Sequence, residues 1–183
     1  QWEYVLGLLG IFVVIKAFSR NRCCWVFCMQ IKIVPIDSKE NNIIIGTAHF
    51  IKTISDLEKI LSIENNKFGV AFCEASGPRL IRSAGSDPKL IQLAIDNAKK
   101  IGAGHSFIIV LGNTFPIQFL NQIKALETVC TIHCATANPL KVLVVEEDDQ
   151  RGIVGVLDGQ TPLGVEGDQD IADRKALLTK LGY

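Results

Sequence analysis

Several familiar signatures are missing from this chain, and each absence narrows what it can be. Its 183 residues carry six cysteines, too sparse and irregularly placed for a secreted disulfide scaffold. Most lie in apolar runs that read as strands, so a reduced, cytoplasmic protein is expected. Neither sign of charge is in excess: 19 basic residues face 19 acidic ones, which excludes the broad basic surface that nucleic-acid binding relies on. A small-molecule ligand is expected instead. No GxxxxGK[ST] phosphate loop is present, because no lysine follows Gly102 and Gly104, and no HRD or DFG triplet occurs. The common nucleotide folds therefore find no support. Internal repeats, low-complexity tracts and proline-rich linkers are lacking too, so one domain is expected, long enough to bury about 70% of its unfolded surface.

Long apolar runs are also missing. Tyr4 to Ile15 is uncharged and apolar but falls short of the roughly 20 residues that span a bilayer. Lys16, Arg20 and Arg22 follow it, whereas a signal peptide carries its positive charge first. The single methionine, Met29, directly precedes the first strand-like run, IKIVPI. Residues 1–28 are accordingly expected to be translated upstream sequence or a truncated leader, with a truncated membrane anchor as the alternative. No membrane contact is expected of the core, residues 29–183.

What is present alternates. Ile31–Ile36 and Asn42–Thr47 are rich in β-branched residues and flank the polar turn Asp37–Asn41, so they read as a hairpin. Ser55 and Glu58 form a capping-box pattern ahead of a short helix. Lys67–Cys73 is a buried-strand pattern that gives way to a strand-end loop, Glu74–Arg82. Asp87 and Pro88 start a helix with one apolar stripe, and Gly102 stands where a left-handed cap is wanted. Ser106–Leu111 and Val129–Thr136 read as strands around a helix at Pro116–Leu126. Leu140–Val145 and Ile153–Leu157 form a final strand pair, and Asp168–Leu181 closes the chain as a helix. The expected fold is α/β: a single layered domain with a mixed, partly parallel sheet flanked by helices, with hairpins at both ends.

Polar clusters recur at the strand ends, where open sheets gather ligands. His105, in GAGHSF, and His49, in GTAHFIKT, could each act as nucleophile or base, although the neighbouring Phe107 and Phe50 also suit a core histidine. His133 lies mid-strand and reads as structural. Glu74, at the mouth of an apolar run, could orient a histidine or simply pair with Arg79 or Arg82. Arginine forks and Lys52 could grip phosphate, and glycines let backbone N–H groups approach it. Candidate nucleotide contacts are Gly46, Lys52, Ser76, Gly77, Arg79, Gly102, Gly104, Asn138, Arg151, Gly152 and Asp158. Cys130 and Cys134 lack a second ligand pair and read as core thiols, so no metal site is assigned. The acidic stretch Glu146–Asp149 could attract a divalent ion or be a solvated turn.

Together, GTAHFIKT, KFGVAFCEASGPRLIR, NAKKIGAGHSF, CATANPLKVLV, RGIVGVLDG and PLGVEG resemble the adenosine-specific kinases, a small family found mostly in archaea and bacteria. The resemblance runs from Met29 to Tyr183. It implies an α/β homo-oligomer that binds adenosine nucleotides and carries a stable phosphohistidine, with His105 preferred to His49 as acceptor. His133 departs from the family pattern, in which another residue stands before the CATANP run. The implied mechanism has ATP bound with its phosphates against the glycine turn and the arginines. An imidazole then attacks the γ-phosphorus, Glu74 holds that ring, and Mg²⁺ is admitted as a helper. The rival reading is a non-catalytic sensor of AMP or ATP.

Overall fold

The computed structural model describes residues 11–13, 29–63 and 65–183. The leader or anchor expected at residues 1–28 lies almost wholly outside the described residues. β1 (Ile11–Val13) adds to the edge of β2 (Met29–Ile36). The chain then forms β3 (Asn42–Ala48), α1 (Thr53–Leu61), β4 (Phe68–Cys73) and β5 (Ile81–Gly85). Next come α2 (Pro88–Ile101), β6 (Ser106–Leu111), a 3-10 turn at Pro116–Gln118 and α3 (Leu120–Lys124). β7 (Val129–Thr136), β8 (Leu140–Glu147), β9 (Gln150–Asp158) and α4 (Asp168–Lys180) complete it.

The strands form two sheets, ordered β1-β2-β8-β9 and β5-β4-β6-β3-β7. Every pairing is antiparallel, which corrects the expected partly parallel sheet. The cause lies in what covers the five-stranded sheet. All residues of β4 and β6 are buried, as in the continuous apolar strands of parallel sheets. Here that burial comes from three layers. On one face, α2 and the four-stranded sheet pack through Leu93, Ala94, Val142 and Val144 against Ile43, Ile45, Ile108 and Val110. On the other, α1 and α3 pack through Leu57, Leu61 and Ile123 against Val70, Phe72, Phe107 and Ile109. β3 and β4 do run in the same direction, but β6 enters between them and opposes both.

The N-terminal hairpin is corrected as well: β2 pairs with β8, while β3 pairs with β6 and β7 in the other sheet. A contact from 60 residues away holds the intervening turn. The buried Asn97 of α2 accepts from the Asp37 N–H at 3.0 Å and donates from Nδ2 to the Asp37 carbonyl at 2.7 Å. The C-terminal hairpin, β8–β9, forms as expected. The Glu74–Arg82 loop is shorter than expected, because β5 begins at Ile81. α1 starts ahead of the Ser55 capping box, and α3 is only five residues long.

α2 follows its sequence signals: the Asp87 side chain accepts from the N–H groups of Lys89 and Leu90, Pro88 opens the helix, and Gly102 closes it at φ +63°. α4 is different, since none of its residues is buried. Among the described residues, no helix is long and apolar enough to cross a membrane.

Candidate functional site

β3 and β4 end where β6 begins, so the segments around His49, Glu74 and His105 meet at one end of the five-stranded sheet. Backbone hydrogen bonds stitch them together. The Ala48 N–H donates to the His105 carbonyl at 2.9 Å, and the His105 N–H donates to the Cys73 carbonyl at 2.7 Å. The turn from β8 to β9 reaches the same end. Between these elements opens a cavity of about 640 Å³, within the usual size of small-ligand sites. Five expected residues line it: Glu74, Arg79, Gly102, Gly104 and Arg151.

Glu74 Oε1 accepts from Arg82 Nε at 2.8 Å and its Oε2 from the Leu80 N–H at 3.0 Å. Those two contacts, Arg82 first, hold its carboxyl below the ordinary carboxylate range. Glu74 is thus an ionised wall group engaged by Arg82, the simpler of its two expected readings. Arg79 reaches across the opening to Asp149 at 3.2 Å. Arg151 pairs through Nε with Glu146 at 2.8 Å. Lys99, on the last turn of α2, also lines the cavity and has no ion-pair partner among the described residues. Sequence reasoning missed it because a lysine there reads as ordinary compensation of a helix C-terminus.

The glycines have packing jobs. A Cβ on Gly102 would come within 2.8 Å of Arg151 Nη1, and one on Gly104 within 2.8 Å of the Ala75 Cβ. Their turn is a poor cradle of N–H groups, because the Gly102 N–H donates to the Ala98 carbonyl and the Ser106 N–H to Ala103. Cationic side chains, not backbone donors, dominate this wall.

Neither histidine lines the cavity. His105 follows Gly104 directly, adopts φ +62°, an unusual conformation for a residue with a side chain, and stacks its ring on Phe72 at a centroid distance of 6.2 Å. His49 is exposed and meets Phe50 edge-on. The remaining candidates are dispersed. Ser76 and Gly77 sit in the exposed β4–β5 loop, where Ser76 accepts from the Arg79 N–H at 3.3 Å. Gly46 is packed under the Phe107 ring. Lys52 is spent on Asp56 at 3.0 Å and Glu127 at 3.4 Å, and the first of these raises its pKa. Gly152 pairs with Val145 on the four-stranded sheet. Asn138 and Asp158 lie at the opposite end of the molecule, tied to each other at 3.2 Å and to Thr136.

Of the acidic stretch, Glu146 faces Lys32 and Arg151 while Asp149 faces Arg79. Among the described residues, no cluster of three or more metal-ligating side chains occurs.

No curated protein matches the chain. A solved structure, the PH1918 protein from Pyrococcus horikoshii OT3, is similar at 40% identity with a TM-score of 0.80, over 85% of this chain and 98% of that one. The sequence model described as "Adenosine specific kinase" matches residues 33–183. The chain belongs to the adenosine specific kinase family.

Proposed function

We propose that the cavity binds an adenosine nucleotide and that the chain is a phosphotransferase, moving a phosphoryl group from ATP to an active-site imidazole. The observation that carries this reading is the charge of the cavity wall. Glu74 and Asp149 are matched by Arg82 and Arg79, whereas Lys99 has no ion-pair partner among the described residues and Arg151 shares Glu146 with Lys32. The excess cations suit the phosphates of a nucleotide. His105 is the preferred acceptor, because it directly follows the lining residue Gly104 and holds a left-handed backbone. His49 stands second, one residue beyond the hydrogen bond that joins the two segments. In the transfer, a ring nitrogen attacks the γ-phosphorus, a P–N bond forms, the bond to the β-phosphate oxygen breaks and ADP leaves with the electron pair. The ring N–H proton passes to solvent.

Incubation with ATP followed by mass spectrometry under non-acidic conditions tests this. An acid-labile gain of about 80 Da, one phosphoryl unit, is expected and should vanish in His105→Asn. Its absence from the wild-type chain would overturn autophosphorylation. One observation favours a second reading, a nucleotide sensor: neither histidine lines the cavity, so binding without turnover would leave both unmodified. That reading predicts saturable binding of AMP or ATP with no ADP released.

Self-association belongs to the same proposal. α4 buries no residue, and Leu163 and Val165 before it are fully exposed, which suits docking on a second copy. The free thiols of Cys73, Cys130 and Cys134 suit the reducing cytoplasm.

A further inference from the structure

The four-stranded sheet turns one row of side chains towards α2. On β2 and β8 that row runs through Val34, Ile36, Val142 and Val144, all packed in or against the core, and at the cavity end it becomes charged. Lys32 continues the row on β2, Glu146 on β8, and Arg151 stands opposite Glu146 on β9. Lys32 Nζ lies 2.7 Å from Glu146 Oε2, and Arg151 Nε lies 2.8 Å from the same oxygen.

Arg151 meets Glu146 through Nε, and its two terminal nitrogens, Nη1 and Nη2, pair with no other carboxylate among the described residues. Nη1 lies over Gly102, close enough to crowd any side chain there. Among the described residues these terminal nitrogens donate no hydrogen bond, so Arg151 is not simply capping the carbonyls at the end of α2. The charge count has the same sense. A carboxylate paired with one arginine would cancel it, but Glu146 is shared with Lys32, and the three groups together keep one positive charge. Lys32 is not among the cavity-lining residues, yet it decides how much of Arg151's charge is felt there.

We propose that Glu146 and Lys32 are positioning residues for Arg151: Glu146 fixes the guanidinium over Gly102, and Lys32 cancels the carboxylate. Arg151 then offers an uncompensated charge and free donors to the oxyanion of a phosphate ester in the cavity. This rests on the nucleotide reading of the cavity. Two arms separate its failure from the failure of that reading.

In the first arm, calorimetry compares AMP with adenosine, which lacks the phosphate. Glu146→Gln should weaken AMP binding about tenfold, as loss of a well-placed charge-assisted contact does. Lys32→Met should weaken it about threefold, with adenosine affinity unchanged in both variants. In an Arg151→Lys background, Glu146→Gln should cost nothing further. Parallel loss of AMP and adenosine, an AMP affinity untouched by Lys32→Met, or additive losses in the double variant would overturn the proposal. The second arm needs no ligand. The arginine Nε–H signal in NMR that disappears in Arg151→Lys should be protected from exchange in the wild-type chain and lose that protection in Glu146→Gln. If the wild-type chain binds neither AMP nor adenosine, the nucleotide reading falls and the positioning of Arg151 stands or falls on this signal alone.

Discussion

Two polar clusters close opposite ends of the molecule, and they differ in what their members are tied to. At the far end, Thr136 Oγ1 donates to Asp158 Oδ1 at 2.7 Å, Asn138 Nδ2 donates to the same oxygen at 3.2 Å, and the Asn138 N–H donates to Thr136 Oγ1 at 3.0 Å. That cluster joins the end of β7 to the end of β9 and ties its own members to one another. At the cavity end, Lys32 and Arg151 share one carboxylate, Lys99 has no ion-pair partner among the described residues, and His105 holds a left-handed backbone. Satisfied polar groups hold a fold together, whereas polar groups left over are available to a ligand. The two clusters look alike in sequence and are distinguished only by what surrounds them.

The largest effect that would sharpen this contrast is structural and sits beneath the candidate acceptor. Phe72→Ala removes a fully buried ring that also stacks on His105, and should cost about 3–5 kcal/mol in chemical denaturation. Gly102→Ala should cost about 1–2 kcal/mol for its left-handed backbone and, by crowding Arg151, should weaken AMP binding by calorimetry. Asp158→Ala should cost about 1 kcal/mol of stability by loss of its hydrogen bonds while leaving AMP affinity unchanged. Weaker AMP binding in that variant would break the contrast, because the far cluster would then belong to the site.

The smallest effect is a pH dependence in β7, away from both clusters. His133 Nε2 is buried without a hydrogen-bond partner among the described residues, and burial lowers the pKa of the ring below its ordinary 6.5. The unfolded chain therefore takes up the proton first. The contribution of His133 to stability is whole above about pH 6.5 and is lost as pH falls towards the lowered folded value. Melting temperatures between pH 7.5 and 5.5 should fall in the wild-type chain and flatten in His133→Gln.

Local signals were legible wherever one residue type has one physical use. Asp87, Pro88 and Gly102 delimit α2 as their chemistry demands, and β6, β7 and the β8–β9 hairpin lie where the apolar and turn residues place them. The partners of β2 and β3 were not legible, because Asn97 redirects the Asp37–Asn41 turn from 60 residues away. The direction of pairing was misread for a related reason. Continuous apolar runs report burial on two faces, and here a second sheet supplies one of those faces. At the site, Glu74, Arg79, Gly102, Gly104 and Arg151 were visible as charges and glycines at strand ends. Asn138 and Asp158 carried the same local signature but close the other end. Lys99 and Lys32 were invisible, because a surface lysine announces a role only when its neighbours are known.

The central claim is that leftover positive charge at the cavity end, led by Arg151, binds the phosphate of an adenosine nucleotide. Titration of AMP into the wild-type chain and Arg151→Gln tests it most directly. The account predicts saturable binding that weakens about tenfold or more in the variant. Equal affinity in the two proteins would contradict it.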